Sequence, residues 1–150
     1  MVTTKSITTV ALLSIDPEFA NAILEGRKTV EFRKNRFSKS IKYVLLYSTM
    51  PEGFIVGLVE LKRIHRAAPS SLWQSFGSRG CIVEERFFNY YKNNSSGVAL
   101  EIENVWKLKT PRSLSESGVV RAPQSFSYME IESFDFLGPL TKIQNKKHVA

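Results

Sequence analysis

The apolar positions of this chain fall into short runs divided by strong turn signals. Val10-Ala11-Leu12-Leu13-Ser14-Ile15 is a continuous apolar run that stops at Asp16-Pro17, so it predicts a strand buried on both faces. Asp16-Pro17-Glu18 opens a helix, since Asp16 can accept from the free amides of the first turn and Pro17 fits the first helical position. Phe19, Ala22 and Ile23 follow at helical spacing, and Gly26 is the natural stop. From 29 to 33 the pattern changes to alternation, with Val30 and Phe32 on one face and Thr29, Glu31 and Arg33 on the other. Residues 41–49 are apolar on both faces, as a central strand requires. Residues 54–64 predict another strand, and Gly57 inside it marks a bulge or a close backbone approach.

The second half continues in short elements. Pro69-Ser70-Ser71 opens a helix through Phe76, and 83–92 is helical in pattern, with Val83, Phe87, Tyr90 and Tyr91 on one side. Asn93-Asn94-Ser95-Ser96-Gly97 ends it. Val98, Leu100, Ile102, Trp106 and Leu108 occupy the even positions of a long strand whose other face carries Glu101, Glu103 and Lys107. Residues 111–122 predict a loop with a turn of helix, 123–128 a short aromatic segment and 134–140 a last strand. Five or six strands with short interleaved helices predict an α+β fold, a mixed β-barrel with the helices packed outside. The chain of 150 residues suits one domain. It is expected to span 8–140, with 1–7 and 141–150 as flexible termini.

Composition narrows the class. Hydrophobic residues make up 43% of the chain, enough for a substantial core, yet no apolar run approaches the roughly 20 residues of a membrane span. The polar N-terminus lacks the features of a signal peptide. Cys81 is the one cysteine, which excludes an internal disulfide and a cysteine-based zinc cluster. The expected location is cytoplasmic, with no membrane partner, no resident metal and no cofactor. The sequence is silent on oligomeric state. The net charge of +7 is concentrated between positions 27 and 42, where Arg27, Lys28, Arg33, Lys34, Arg36, Lys39 and Lys42 face a single carboxylate, Glu31. Such a field attracts phosphates and polyanions, although a solvated basic loop has the same composition.

Chemistry concentrates in Gly26-Arg27-Lys28-Thr29-Val30-Glu31-Phe32-Arg33. Glu31 and Arg33 are two apart on a strand and share a face, with the Lys28 ammonium close in sequence. A Lys–Glu–Arg cluster can hold a phosphate or a nucleobase edge, and a desolvated lysine beside a carboxylate can act as base or nucleophile. An ordinary surface ion pair on an alternating strand gives the same pattern.

This segment resembles the Gly-x-Lys-x-x-Glu-x-Arg signature of the ASCH domain, a relative of the PUA domain. Leu12-Leu13-Ser14-Ile15-Asp16-Pro17-Glu18-Phe19-Ala20 resembles the family's N-terminal strand and helix. Tyr47-Ser48-Thr49-Met50-Pro51, Ile55-Val56-Gly57 and Pro123-Gln124-Ser125-Phe126 resemble its later motifs, in order over about 8–140. The resemblance implies a PUA-like barrel with a cleft between barrel and helices, and recognition of RNA or a nucleotide. It implies Lys28, Glu31 and Arg33 as cleft residues, with Ser48, Gln124 and Ser125 as further candidates; the basic window adds Lys34 and Arg36, and the aromatic segment adds Tyr128, as nucleic-acid contacts. A regulatory part in RNA metabolism, transcription or translation follows from the same resemblance. Two enzymatic readings stand beside binding, and in either of them Lys28 and Glu31 would be catalytic. One is a ribonuclease assisted by a divalent metal. The other is an amidohydrolase of N4-acetylcytidine, whose motif carries Lys-x-x-Thr. Here Glu31 occupies the threonine position, and Thr29, on the same strand face, is not the matching residue.

The remaining chemistry-bearing residues read more plainly. Trp73, Phe76, Phe87, Phe88, Tyr90, Tyr91 and Trp106 fit core periodicity, whereas Phe126 and Tyr128 are stacking candidates. Cys81 precedes a helix start but has no histidine near it in sequence. His65 reads as a solvated strand end, and Glu84-Glu85 complements a helix dipole.

Overall fold

A computed structural model describes residues 6–145. In chain order it contains β1 (Thr8–Ile15), α1 (Pro17–Leu24), β2 (Val30–Arg33), β3 (Tyr43–Ser48), β4 (Phe54–Ala67), α2 (Pro69–Phe76), α3 (Glu84–Tyr90), β5 (Gly97–Arg112), β6 (Phe126–Ile131) and β7 (Leu140–Ile143). The α+β class holds. The strands form one mixed sheet in the order β2-β5-β4-β3-β1-β6, with β7 added to the far half of β5. Only β1 and β3 run parallel, and α1 and β2 form the crossover that such a pair requires.

The sheet is curved but not closed. One face of β1, β3, β4 and β5 converges with α1 on a single apolar cluster that includes Ala11, Leu13, Ile23, Leu46, Val59 and Leu100. The opposite faces pack outward in two directions. Val10, Leu12, Leu45, Leu58 and Leu108 are covered by the 114–137 region, and Val30, Phe32 and Ala99 by α2 and α3. This accounts for runs that are apolar on both faces. The barrel expected from sequence lacks its final ladder, because β2 and β6 stand at the two ends of the strand order.

Three boundaries differ from the sequence expectation. The aromatic segment is a full strand, β6, antiparallel to β1 from Leu13↔Phe126 to Thr8↔Ile131. Residues 134–140 do not form a strand. They make a 3-10 turn, Asp135–Leu137, that inserts the buried Leu137 into the outer core. The last strand starts at Leu140 and pairs with β5, so residues 141–143 belong to the fold and not to a tail. The outer parts of the expected flexible termini, 1–5 and 146–150, lie outside the described residues.

Asp16 caps α1 differently from expectation. Its backbone carbonyl accepts from the Phe19 and Ala20 amides, while its carboxylate stands 3.6 Å from Arg86 Nη2. Gly26 takes a φ of +78°, and the Arg27 and Lys28 amides both return to the Ala22 carbonyl. This tight reversal turns Lys28 inward.

Gly57 sits at a register shift of β4 against β5, and a Cβ there would lie 2.8 Å from Leu24 Cδ2 and 3.3 Å from the Trp106 carbonyl oxygen. Gly57→Ala should therefore lower stability by about 1–3 kcal/mol, read as a reduced urea midpoint with unchanged m-value. An unchanged midpoint would refute the close approach of α1 to the sheet.

Candidate functional site

Lys28 leaves the α1 turn almost fully buried, at 1% exposure. Its Nζ donates to the Gly80 carbonyl at 2.6 Å and lies 3.1 Å from Glu31 Oε1. The Phe19 and Phe32 rings flank it, with centroids 4.8 and 5.8 Å away. Glu31 points to the inner face of the sheet, against Leu13, Ile23 and Leu100. Its other oxygen, Oε2, accepts from Arg33 Nη1 at 3.2 Å. Arg33 then spreads its fork across the gap between the sheet ends. Nη1 reaches the Ser14 carbonyl at 3.3 Å, and Nη2 reaches Ser125 Oγ at 2.6 Å and the Ser125 carbonyl at 3.4 Å. The Ser14 amide donates to the Ser125 carbonyl, and Ser14 Oγ to the Pro123 carbonyl. Tyr91 Oη donates to the Arg33 carbonyl at 2.7 Å, and burial pushes the Tyr91 phenol far above its ordinary pKa, so it remains a donor.

Two cations and one carboxylate make this trio net positive. Buried charges persist only when paired and hydrogen-bonded. Glu31 meets that condition with both oxygens. Arg33 Nε does not: it is buried and has no partner in the protein. The trio forms the floor of a cavity of about 420 Å³. Ile15, Phe19, Phe32, Ile82 and Tyr90 give it apolar walls, Ser14, Thr49, Gln124 and Ser125 give it hydroxyl and amide groups, and Asp16, Lys34, Asn35 and Arg86 form the rest of the lining.

Lys28, Glu31, Arg33, Lys34, Gln124 and Ser125, all singled out in the sequence, thus meet in one cavity. Ser48 is buried at 2% exposure, its hydroxyl unpartnered, and Thr49 takes its place in the wall. Tyr128 is also set apart. Its hydroxyl accepts from the Ser38 amide at 2.7 Å and its ring packs against Phe37 and Phe126. Arg36 lines a separate cavity. The sequence reading missed Phe19 and Tyr90, which helical spacing assigns to the core, and Arg86, which carries no local signal. The Gly80 carbonyl was likewise invisible, because its contact with Lys28 spans 52 residues.

Glu101 and His65 also differ from expectation. Strand alternation puts Glu101 on the face of β5 that α2 and α3 cover, where it bonds His65 Nε2 at 2.9 Å and Arg79 Nη1 at 3.0 Å. Arg79 Nε donates to Thr29 Oγ1, and the Thr29 amide donates to the Arg79 carbonyl. This network anchors the segment whose next carbonyl, at Gly80, holds Lys28.

The ASCH domain model matches residues 13–112. The chain belongs to the ASCH domain family. An ASCH domain-containing ribonuclease of Zymomonas mobilis is 28% identical over 136 residues, covering 87% of this chain and 91% of that protein. Large ribosomal subunit protein uL22 of Ureaplasma parvum is 27% identical over 120 residues, 79% of this chain but 39% of that longer protein. The crystal structure of ASCH from Zymomonas mobilis aligns with a TM-score of 0.73 at 25% identity, covering 79% of this chain and 86% of the other. A point variant of the same protein, ZmASCH, aligns at 0.75 and 24%, covering 81% and 91%. The open mixed sheet is therefore an ASCH fold.

Two measurements test the charge arrangement of this ASCH domain. Glu31→Gln leaves Lys28 and Arg33 buried without a counter-ion, so it should cost about 3 kcal/mol in chemical denaturation. Adding Lys28→Met to it should cost less than the sum of the single changes, and strict additivity would refute the coupling. The second concerns Glu101. Burial acts to raise its carboxyl pKa, but the His65 and Arg79 hydrogen bonds and charges outweigh this and hold it below its ordinary value. The unfolded chain then takes up the proton first. Stability carried by Glu101 is full above the ordinary carboxylate range and is lost as pH falls through that range toward the folded value. Glu101→Gln should flatten the acid limb of melting temperature between about pH 6 and about pH 3. An acid limb identical to that of the unsubstituted chain would contradict the assignment.

Proposed function

We propose that this ASCH domain binds single-stranded RNA, with one nucleotide in the cavity and its phosphate on Lys28 and Arg33. The observation that carries this reading is the buried, net-positive trio with an unpartnered guanidinium Nε at the cavity floor. An anion entering there meets donors already held in place, and it balances the excess charge. The Phe19 and Tyr90 walls suit a base face, and Gln124 offers both a donor and an acceptor to a base edge. The ribonuclease among the relatives supports RNA as the polymer. Such binding suits a regulatory part in RNA metabolism, transcription or translation.

Turnover of the bound RNA is the second reading, favoured by that same relative. Attack of a ribose 2′-oxygen on the adjacent phosphorus, with departure of the 5′-oxygen, builds negative charge that Lys28 and Arg33 would neutralise. Glu31 could take the 2′-hydroxyl proton only after the ligand draws Lys28 away from it, since Lys28 and Arg33 engage both of its oxygens. The described residues contain no group of three or more His, Cys, Asp or Glu able to grip a metal. The carboxylates of the cavity, Asp16 and Glu31, both face basic side chains. This donor set does not fit a resident divalent ion, so the cleavage reading derives no step through one. For the amidohydrolase reading, the nucleophile position carries a buried carboxylate, and Thr29 accepts from Arg79 and does not line the cavity.

Fluorescence anisotropy with a labelled single-stranded RNA tests the binding. The logarithm of affinity should fall with the logarithm of salt, with a slope of about −0.7 per phosphate engaged. Arg33→Lys keeps the charge but loses the fork, and should weaken binding about tenfold or more with the fold intact by circular dichroism. Salt-insensitive binding, or normal binding by both Arg33→Lys and Lys28→Met, would exclude the site. Incubation of the RNA with and without a divalent metal separates the readings. Fragments ending in a cyclic phosphate establish cleavage, and intact RNA leaves binding as the function.

A further inference from the structure

The basic window divides in two once its partners are known. Arg27 pairs with Glu25, Lys42 with Glu60, and Lys28 and Arg33 share Glu31. Among the described residues, Lys34 and Arg36 enter no ion pair, and neither does Arg66 at the end of β4. These three cations line a second cavity of about 410 Å³, together with Asn35 and loop 93–96, which supplies two asparagines and two serines. No carboxylate and no aromatic ring lines it.

The two cavities are contiguous. Lys34 and Asn35 line both, and Lys34 Nζ rests on the Tyr90 ring at 4.6 Å, at the wall of the first. Sheet register fixes their separation. Arg33 on β2 stands opposite Val98 on β5, and Val98 opposite Arg66 on β4. The Arg33 and Arg66 backbones are thus two strand spacings apart, about 10 Å. A nucleotide seated on Lys28 and Arg33 has no phosphate left for Arg66, whereas a continuing strand has.

We infer that the second cavity is a phosphate-and-sugar subsite for the next residues of the same RNA strand, so that the ligand is an oligonucleotide and not a free nucleotide or nucleoside. The lining fits this role: unneutralised cations attract phosphate, amides and hydroxyls reach phosphate and 2′-hydroxyl oxygens, and no surface is offered for stacking a base. The inference rests on the RNA-binding reading above and adds a path and a minimum length to it.

Titration calorimetry with uridine monophosphate, the dinucleotide pUpU and 2′-O-methyl octauridylate tests it, the last because its blocked 2′-oxygen prevents self-cleavage. Octamer affinity should exceed that of the monophosphate by about tenfold or more. Arg66→Gln should remove most of that gain, change monophosphate affinity less than about twofold, and make the octamer's salt slope shallower by about 0.7. Three results would overturn the inference: an Arg66→Gln chain that binds the octamer normally, equal binding of monophosphate and octamer, or equal weakening of both by Arg66→Gln. Failure of the unsubstituted chain to bind any of these ligands is a different outcome. It sinks the RNA-binding reading itself, and the subsite with it.

Discussion

A single carboxylate at the mouth of an apolar interior determines much of this architecture. Glu31 must project inward, because strand alternation gives Val30 and Phe32 to the opposite face, where α2 and α3 cover them. A carboxylate in that position would be unstable alone, and removing it from water costs several kcal/mol even after relaxation. Lys28 and Arg33 supply the compensation from the same eight-residue segment. Compensating one anion with two cations leaves an excess of positive charge that the protein does not cancel. The excess is the chemical content of the site, and it follows from a requirement of folding.

The same trio manages the sheet's open seam. Free strand ends invite pairing with other chains unless they are covered or otherwise occupied. Here the Arg33 fork joins the end of β2 to the Ser14 and Ser125 carbonyls, and so to β1 and the start of β6. Beyond it, Phe37 fills the gap against Phe126, with ring centroids 4.7 Å apart, and the Ser38 amide binds the Tyr128 hydroxyl. Side chains thus do across this gap what a backbone ladder does elsewhere in the sheet. They leave a cavity where the ladder would have run.

Local pattern carried the elements that local physics determines. The apolar run at 10–15, the Pro17 start and Gly26 stop of α1, and the alternation at 30–33 each depend on neighbours within a few residues, and each is found as expected, whereas Thr29 lies before the strand and turns to Arg79. Lys28, Glu31 and Arg33 were legible for the same reason, since their spacing and the family signature coincide. What failed depended on distant partners. Tyr128 read as a base-stacking candidate, but its hydroxyl is held by Ser38, 90 residues away in sequence. Glu101 had the alternation of a solvent face, yet the helical region covers that face and brings Arg79 to it beside His65. Strand β6 was hidden because its pairing with β1 closes a loop of more than a hundred residues, and no local signal announces it. Phe19 and Tyr90 obey core periodicity and still face the cavity, because a cavity wall and a core are the same surface until something is left out of the space between them.

Because Arg33 both closes the seam and faces the cavity, ligand binding and fold stability are linked in this protein. An anion that occupies the floor binds the folded chain and not the unfolded one, so it must stabilise the fold by an amount set by its concentration relative to Kd. The converse also holds. A change that loosens the seam, even at Ser125 or Tyr91, moves the guanidinium that the anion needs, although neither side chain need touch the ligand. Lys34, Arg36 and Arg66 lie outside this coupling, because among the described residues they enter no ion pair and hold no seam. In the RNA-binding reading proposed above, they are therefore free to set the length of polymer bound without altering how the domain folds. The fixed charges hold the site together, and the unpaired ones beside it extend its reach.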